Sequence, residues 1–170
     1  MGMPNKLKDF MIFENGRSYA GEATEVTLPK LSRKMEEYRA AGMSGPVSVD
    51  FGQEAMQLEW TAGGLVKEAL KNYAAKSHGA VMLRFAGAYQ NDDDGKVQAV
   101  EIVVRGRYKE IDMGNAKLSD DTTHKYSMPL SAYKLTIDGE VIFDFDFMNG
   151  IEIVGGEDRR ADFRKAIGLG

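Results

Sequence analysis

The sequence predicts a mainly β fold, a sandwich or barrel of antiparallel hairpins with one central and one C-terminal helix. Three observations predict it. Apolar and polar residues alternate at period two through most of the apolar segments, the repeat of a half-buried strand. Asn-Gly, Asp-Gly and Gly-Gly pairs fall between those segments, where hairpin turns need residues that tolerate positive φ. Apolar residues at helical spacing occur in only two places.

Phe10–Phe13 is a short apolar run, and Asn15-Gly16 turns it into Ser18, Tyr19 and Ala20, an N-terminal hairpin. Residues 26–31, VTLPKL, are extended, with Pro29 confining them to an edge or an end. Residues 32–45 read as an extended loop, a long excursion that includes Gly42 and has little apolar content of its own. Val47, Val49 and Phe51 then alternate, and Met56, Leu58 and Trp60 alternate in the other phase. The switch across Phe51-Gly52-Gln53 reads as a turn, giving a second hairpin over 46–61.

Leu65, Val66, Ala69, Leu70 and Tyr73 form one stripe of a helix over 65–75. Val81, Leu83, Phe85 and Tyr89 lead into Asp94-Gly95, and Val100, Ile102, Val104 and Tyr108 lead out of it, a hairpin over 81–112. Residues 124–137 are extended, with Pro129 and a change of phase near Ala132 that indicates a bulge. Asp138-Gly139 turns the chain into Val141, Phe143, Phe145 and Phe147, with Asp144 and Asp146 on the other face. After IEIV and Gly155-Gly156, residues 158–167 form the terminal helix, with Asp158 as N-cap and Gly168 as stop. No repeat or linker interrupts the chain, so 1–170 reads as one domain.

The chain has 170 residues, 43% hydrophobic and 28% charged, enough to bury a core. Its net charge of −4 argues against a nucleic-acid binder, which carries a basic face. With no cysteine there is neither a disulfide frame nor a thiolate metal site. No apolar run approaches the roughly 18 residues of a membrane span, and MGMPNKLKDF has no signal-peptide core. No membrane anchoring is expected.

Residues 90–101, QNDDDGKVQAVE, imitate a calcium loop. Asp92, Asp94, Gly95 and Glu101 fall at its positions 3, 5, 6 and 12. Position 1 is the neutral Gln90, and both flanks read as strands where the motif needs helices, so a solvated hairpin tip is the expected outcome. No nucleophile elbow or phosphate loop is present, and no cofactor is expected. Asp144 and Asp146 could serve a hydrolase as paired carboxylates, but simple alternation accounts for both. His78 reads as a turn residue and His124 as an exposed strand residue, with Trp60 and Tyr73 in the core. A hairpin-rich ligand-binding module is a further alternative.

The stretches LPKL (28–31), YRAAGMSGPVSVDFG (38–52), VEIVVRGRYKEIDMG (100–114), SAYKLTIDGEV (131–141) and DRRADFRKAIGL (158–169) run through nearly the whole chain. They resemble the major tail tube proteins of contractile-tailed P2-like bacteriophages and the tube proteins of R-type bacteriocins. The resemblance implies a non-enzymatic subunit of hexameric rings stacked into a hollow tube whose inner wall is a shared β-barrel. It implies a tube that holds a tape-measure protein, sits inside a sheath and meets baseplate and tail-terminator proteins. In a phage such a tube passes double-stranded DNA and is driven through the bacterial envelope on contraction; in a bacteriocin it delivers no genome. The expected location is the virion tail or bacteriocin particle, assembled in the bacterial cytoplasm.

On that footing the 32–45 loop is expected to make inter-ring contacts, through Arg39, Gly42, Met43 and Gly45. A channel that must not grip phosphates should lack cations. The polar face of 46–61, with Ser48, Asp50, Gln57 and Glu59, meets that requirement and is expected to face the lumen. Arg105, Arg107 and Lys109 suit an outer or inter-subunit surface.

Overall fold

The computed structural model describes residues 1–170. Two antiparallel sheets share one long strand, β10 (His124–Ile137). Its second half lies in the larger sheet. There β1 (Asn5–Glu14), β7 (Val81–Asn91), β8 (Val97–Gly106), β10, β11 (Glu140–Asp146) and β12 (Ile151–Val154) are neighbours in that order. Two-residue strands β2 (Arg17–Ser18) and β13 (Glu157–Asp158) close its ends. The first half of β10 belongs to the smaller sheet, between β6 (Gln57–Ala62) and β9 (Glu110–Asp112), with β3 (Ala23–Thr27) beyond β6.

The changeover sits where the alternation of β10 breaks. The register against β8 slips between Leu130 and Ala132, as the phase change indicates. Gly106 marks the crossing on β8. A Cβ there would stand 2.2 Å from the Pro129 carbonyl oxygen, so only glycine allows the approach. Pro129 lacks an N–H and lies opposite Gln57, the first residue of β6, at the end of that pairing.

The two inner faces enclose the core. Ile12, Leu83, Phe85, Ile102, Val104 and Tyr133 come from the larger sheet, and Leu58, Trp60, Ala62, Tyr126 and Met128 from the smaller. Trp60 is sandwiched between Tyr126 and Tyr19, with centroids 4.3 and 5.2 Å away. This mainly β architecture with a central and a C-terminal helix is the class the sequence predicts, and the Asn15-Gly16, Gly95 and Asp138-Gly139 turns fall where expected.

Several elements differ from the sequence reading. The central helix α1 (Lys67–Leu70) is one turn long, because Ala74 takes a left-handed φ of +60° soon after it. Tyr73 is exposed there, not in the core. His124 is buried under the smaller sheet, not exposed, because it shares the inner face with Tyr126. The terminal helix α2 (Ala161–Ala166) has Arg160 at its N-cap; Asp158 belongs to β13, where it accepts the Arg160 N–H and pairs with Arg164.

The largest difference concerns 32–61. Residues 33–38 of the expected loop form β4 (Arg33–Tyr38), which pairs with β5 (Val47–Gln53) as a separate two-stranded sheet. The turn at Gly52 does not fold β5 back on β6. It takes the chain from this arm into the smaller sheet, so 46–61 is not a hairpin.

Candidate assembly surfaces

The arm formed by β4 and β5 stands clear of the core. Every residue of β4 is exposed. Cross-strand pairing of Tyr38 with Val47 and Glu36 with Val49 places Tyr38, Val47, Val49 and Phe51 on one face. These side chains are 57, 59, 40 and 61% exposed, an apolar stripe largely open to solvent and flanked on β4 by Glu36, which lies opposite Val49. The other face carries Met35, Glu37, Ser48 and Asp50. Arg39, Gly42, Met43 and Gly45 meet at the tip, where Met43 N–H donates to the Ala40 carbonyl and Gly42 adopts φ +87°.

At the base of the arm, Arg33 Nε donates to Asp50 at 3.0 Å and Nη1 donates to Glu152 of β12 at 2.9 Å. Asp50 also accepts the Gly52 N–H at 2.8 Å, and this bond, with Arg33 second, holds its carboxyl below the usual carboxylate range. Ser32 closes the neck, its carbonyl accepting from Glu54 N–H and Gln53 Nε2.

Gln57 and Glu59 lie elsewhere, on the outer face of the smaller sheet. Register puts Glu25 and Thr61 beside Lys125 and Asp112, and Thr27 and Glu59 beside Ser127 and Glu110. The face is acidic, with four carboxylates to Lys125. Gln57 Nε2 donates to Glu59, and so does Ser127 Oγ. The four residues expected in the lumen are therefore divided between two sheets.

Nor do the three cations share one face. Arg105 lies on the outer face of β8 beside Met82, Arg107 donates to the Ala75 carbonyl at 3.3 Å, and Lys109 Nζ lies 3.1 Å from Gln57 Oε1. Lys109 thus borders the acidic face, because the chain leaves the larger sheet after Gly106 and Lys109 N–H already donates to the Ser127 carbonyl of the smaller sheet.

The loop that imitates a calcium site spends its carboxylates separately. Asp92 pairs with Lys8, Asp93 accepts the Met3 N–H and Asp94 accepts the Lys96 N–H. Glu101 lies on β8, where it pairs with Arg84. Asp146 accepts from Asn149 in the turn after β11, and Asp144 faces Lys134 across the strands. His78 lies in a turn, as expected.

Sequence reasoning missed the arm's pairing and Arg33. Helix-forming residues in RKMEEY obscured β4, although the alternation Val47, Val49, Phe51 required a partner strand. It also missed the buried carboxylate of Glu14, which sits among Tyr19 and Tyr108 at the end of β1. No local signal distinguishes Glu14 from the exposed acids around it.

Comparison with known proteins agrees with this architecture. The family model described as "Phage tail tube protein FII" matches residues 4–168. The tail tube protein of Escherichia phage P2 is 48% identical over 99% of this chain and 100% of its own. The major tail tube protein of Serratia phage KSP20 is 36% identical over 100% of this chain and 99% of its own. Two solved assemblies share the fold at 9% identity. A chain of the anti-feeding prophage baseplate superposes with a TM-score of 0.62, covering 80% of this chain and 97% of that one. A chain of the extended sheath-tube complex of the PVC extracellular contractile injection system superposes with a TM-score of 0.56, covering 75% and 87%. The chain belongs to the phage tail tube protein FII family, whose role is structural and not enzymatic.

Proposed function

We propose that this chain forms hexameric rings that stack into the hollow tube of a contractile tail, with the β4–β5 arm as its main assembly element. The observation that carries the reading is the arm's uncovered apolar stripe on a chain 48% identical to a phage tail tube protein over its whole length. A lone two-stranded hairpin is marginal in water, and a stripe of this kind is stabilised by a neighbour's surface. Six copies arranged head to tail supply that surface through a heterologous contact that closes into a ring. The tip, with Arg39, Gly42, Met43 and Gly45, then reaches the adjoining ring.

Docking the apolar face of the arm outward against a neighbour turns the opposite face, with Ser48 and Asp50, toward the channel. Gln57 and Glu59 belong to a second acidic surface that also repels phosphates and is assigned to the channel on the same electrostatic ground. The tube surrounds a tape-measure protein, conducts double-stranded DNA and works within a sheath, between baseplate and terminator proteins. Assembly takes place in the bacterial cytoplasm.

Negative-stain microscopy of the purified chain tests the reading. Long hollow tubes are expected from the full chain, and folded, unassembled protein from a variant in which residues 36–49 are replaced by a tight turn. Long tubes from the shortened chain would overturn the arm's role.

A further inference from the structure

We propose that Arg33 is the positioning residue of the arm, fixing its angle to the larger sheet by bridging Asp50 on β5 and Glu152 on β12. The inference rests on the arm being an assembly element. Its geometric basis is that the arm is joined to the body almost wholly through its neck. Of the side-chain hydrogen bonds made by residues 33–53, the one reaching beyond the adjoining neck residues is that from Arg33 to Glu152. An open cleft separates the base of the arm, at Phe51 and Gly52, from Phe147, Ile151 and Arg160.

The chemistry suits a strut. Glu152 lies across the strands from Phe145, and its side chain is only 13% exposed, so its charge requires a partner. Guanidinium presents donors in a rigid plane and can hold two carboxylates at once. A lysine in its place is a single point charge on a flexible stem. The Gly52 N–H fixes the Asp50 carboxylate from the other side, and Gly52 supplies the positive φ of +111° needed there. The arm is therefore set at one angle before a neighbour arrives, which lowers the entropy lost on assembly.

The chain has no cysteine, so two introduced thiols label cleanly. Spin labels at Ala41→Cys on the arm tip and Lys125→Cys on the body report the arm's angle in full-length protein kept dilute and unassembled. A narrow distance distribution is expected, broadened by Arg33→Ala and by Glu152→Gln and partly restored by Arg33→Lys. With the competent angle populated about one-tenth of the time, tube growth falls roughly tenfold. Unchanged distributions in both Arg33→Ala and Glu152→Gln would overturn the proposal. Broadened distributions with normal tube growth would support the strut and overturn the arm's role in assembly.

Discussion

The phenol of Tyr108 donates to the Glu14 carboxylate at 2.5 Å inside the core, where the two residues are 4 and 2% exposed. Tyr19 donates to the other carboxylate oxygen, and Trp60 Nε1 donates to the Tyr108 oxygen at 3.0 Å. Glu14 thereby joins the end of β1 to the turn after β2 and to the segment between β8 and β9. Burial raises its pKa above the ordinary 4.5, outweighing the opposite effects of Tyr108, Tyr19 and Asn72. The same burial, with Glu14 alongside, pushes the Tyr19 and Tyr108 hydroxyls up, so both remain donors.

A pH dependence with a definite sign results. Between 4.5 and its raised native value, Glu14 holds a proton when folded and releases it when unfolded. Its stabilising contribution is complete below that window and is lost as pH climbs through it. Urea unfolding from pH 4 to 8 should show this decline in the wild type, and Glu14→Gln should remove its share of the slope. Glu14→Ala, which strands two phenols, should cost about 2–4 kcal/mol at pH 4 and less as pH climbs through that window. A slope unchanged in Glu14→Gln would place the titration on another group.

Gly106 supports a second prediction. Its missing side chain lets β8 approach the Pro129 carbonyl where β10 passes between sheets. Gly106→Ala brings a methyl to 2.2 Å from that oxygen and 2.9 Å from Met128. Neither backbone can yield without disturbing both sheets, so the variant should lose about 2–4 kcal/mol in chemical denaturation. Gly139→Ala, in open space at a turn with φ +84°, should cost only about 1 kcal/mol from backbone strain. Equal losses at the two glycines would refute the close-approach argument.

What the sequence showed follows how far each determinant acts along the chain. Turns were legible because Asn15-Gly16 and Asp138-Gly139 specify their own φ values locally. Strands were legible wherever one face is buried, as in Val81, Leu83 and Phe85. β4 was not, because a strand exposed on both faces carries no burial pattern. The partner of β5 was misread for a related reason. Alternation gives phase, and the sheet a strand joins is decided by distant residues such as Arg33 and Glu152, 119 positions apart. The same gap divided the expected channel residues, since Asp50 and Gln57 are close in sequence and belong to different sheets.

That division makes the channel assignment testable in two independent halves. Ser48 lies on the polar face of the arm, and Glu59 on the acidic face of the smaller sheet. Single variants Ser48→Cys and Glu59→Cys, in assembled tubes, can be treated with a small maleimide and with one carried on a protein too wide for the bore. A residue that faces the channel reacts with the first and not with the second until the tube is dissociated. Both positions are expected to behave this way. On the proposed assignment, Glu37 opposite Ser48 and the carboxylates around Glu59 would repel a passing polyanion, and exchanging Glu59 for lysine should add a phosphate contact in every subunit of the wall. Ready labelling of Glu59→Cys by the wide reagent would put the smaller sheet on the outside, where its carboxylates would face whatever encloses the tube. Ready labelling of Ser48→Cys would mean that the arm docks with its polar face outward, and would leave Tyr38, Val47, Val49 and Phe51 toward the channel. That outcome is disfavoured by the cost of exposing four apolar side chains per subunit to a water-filled bore.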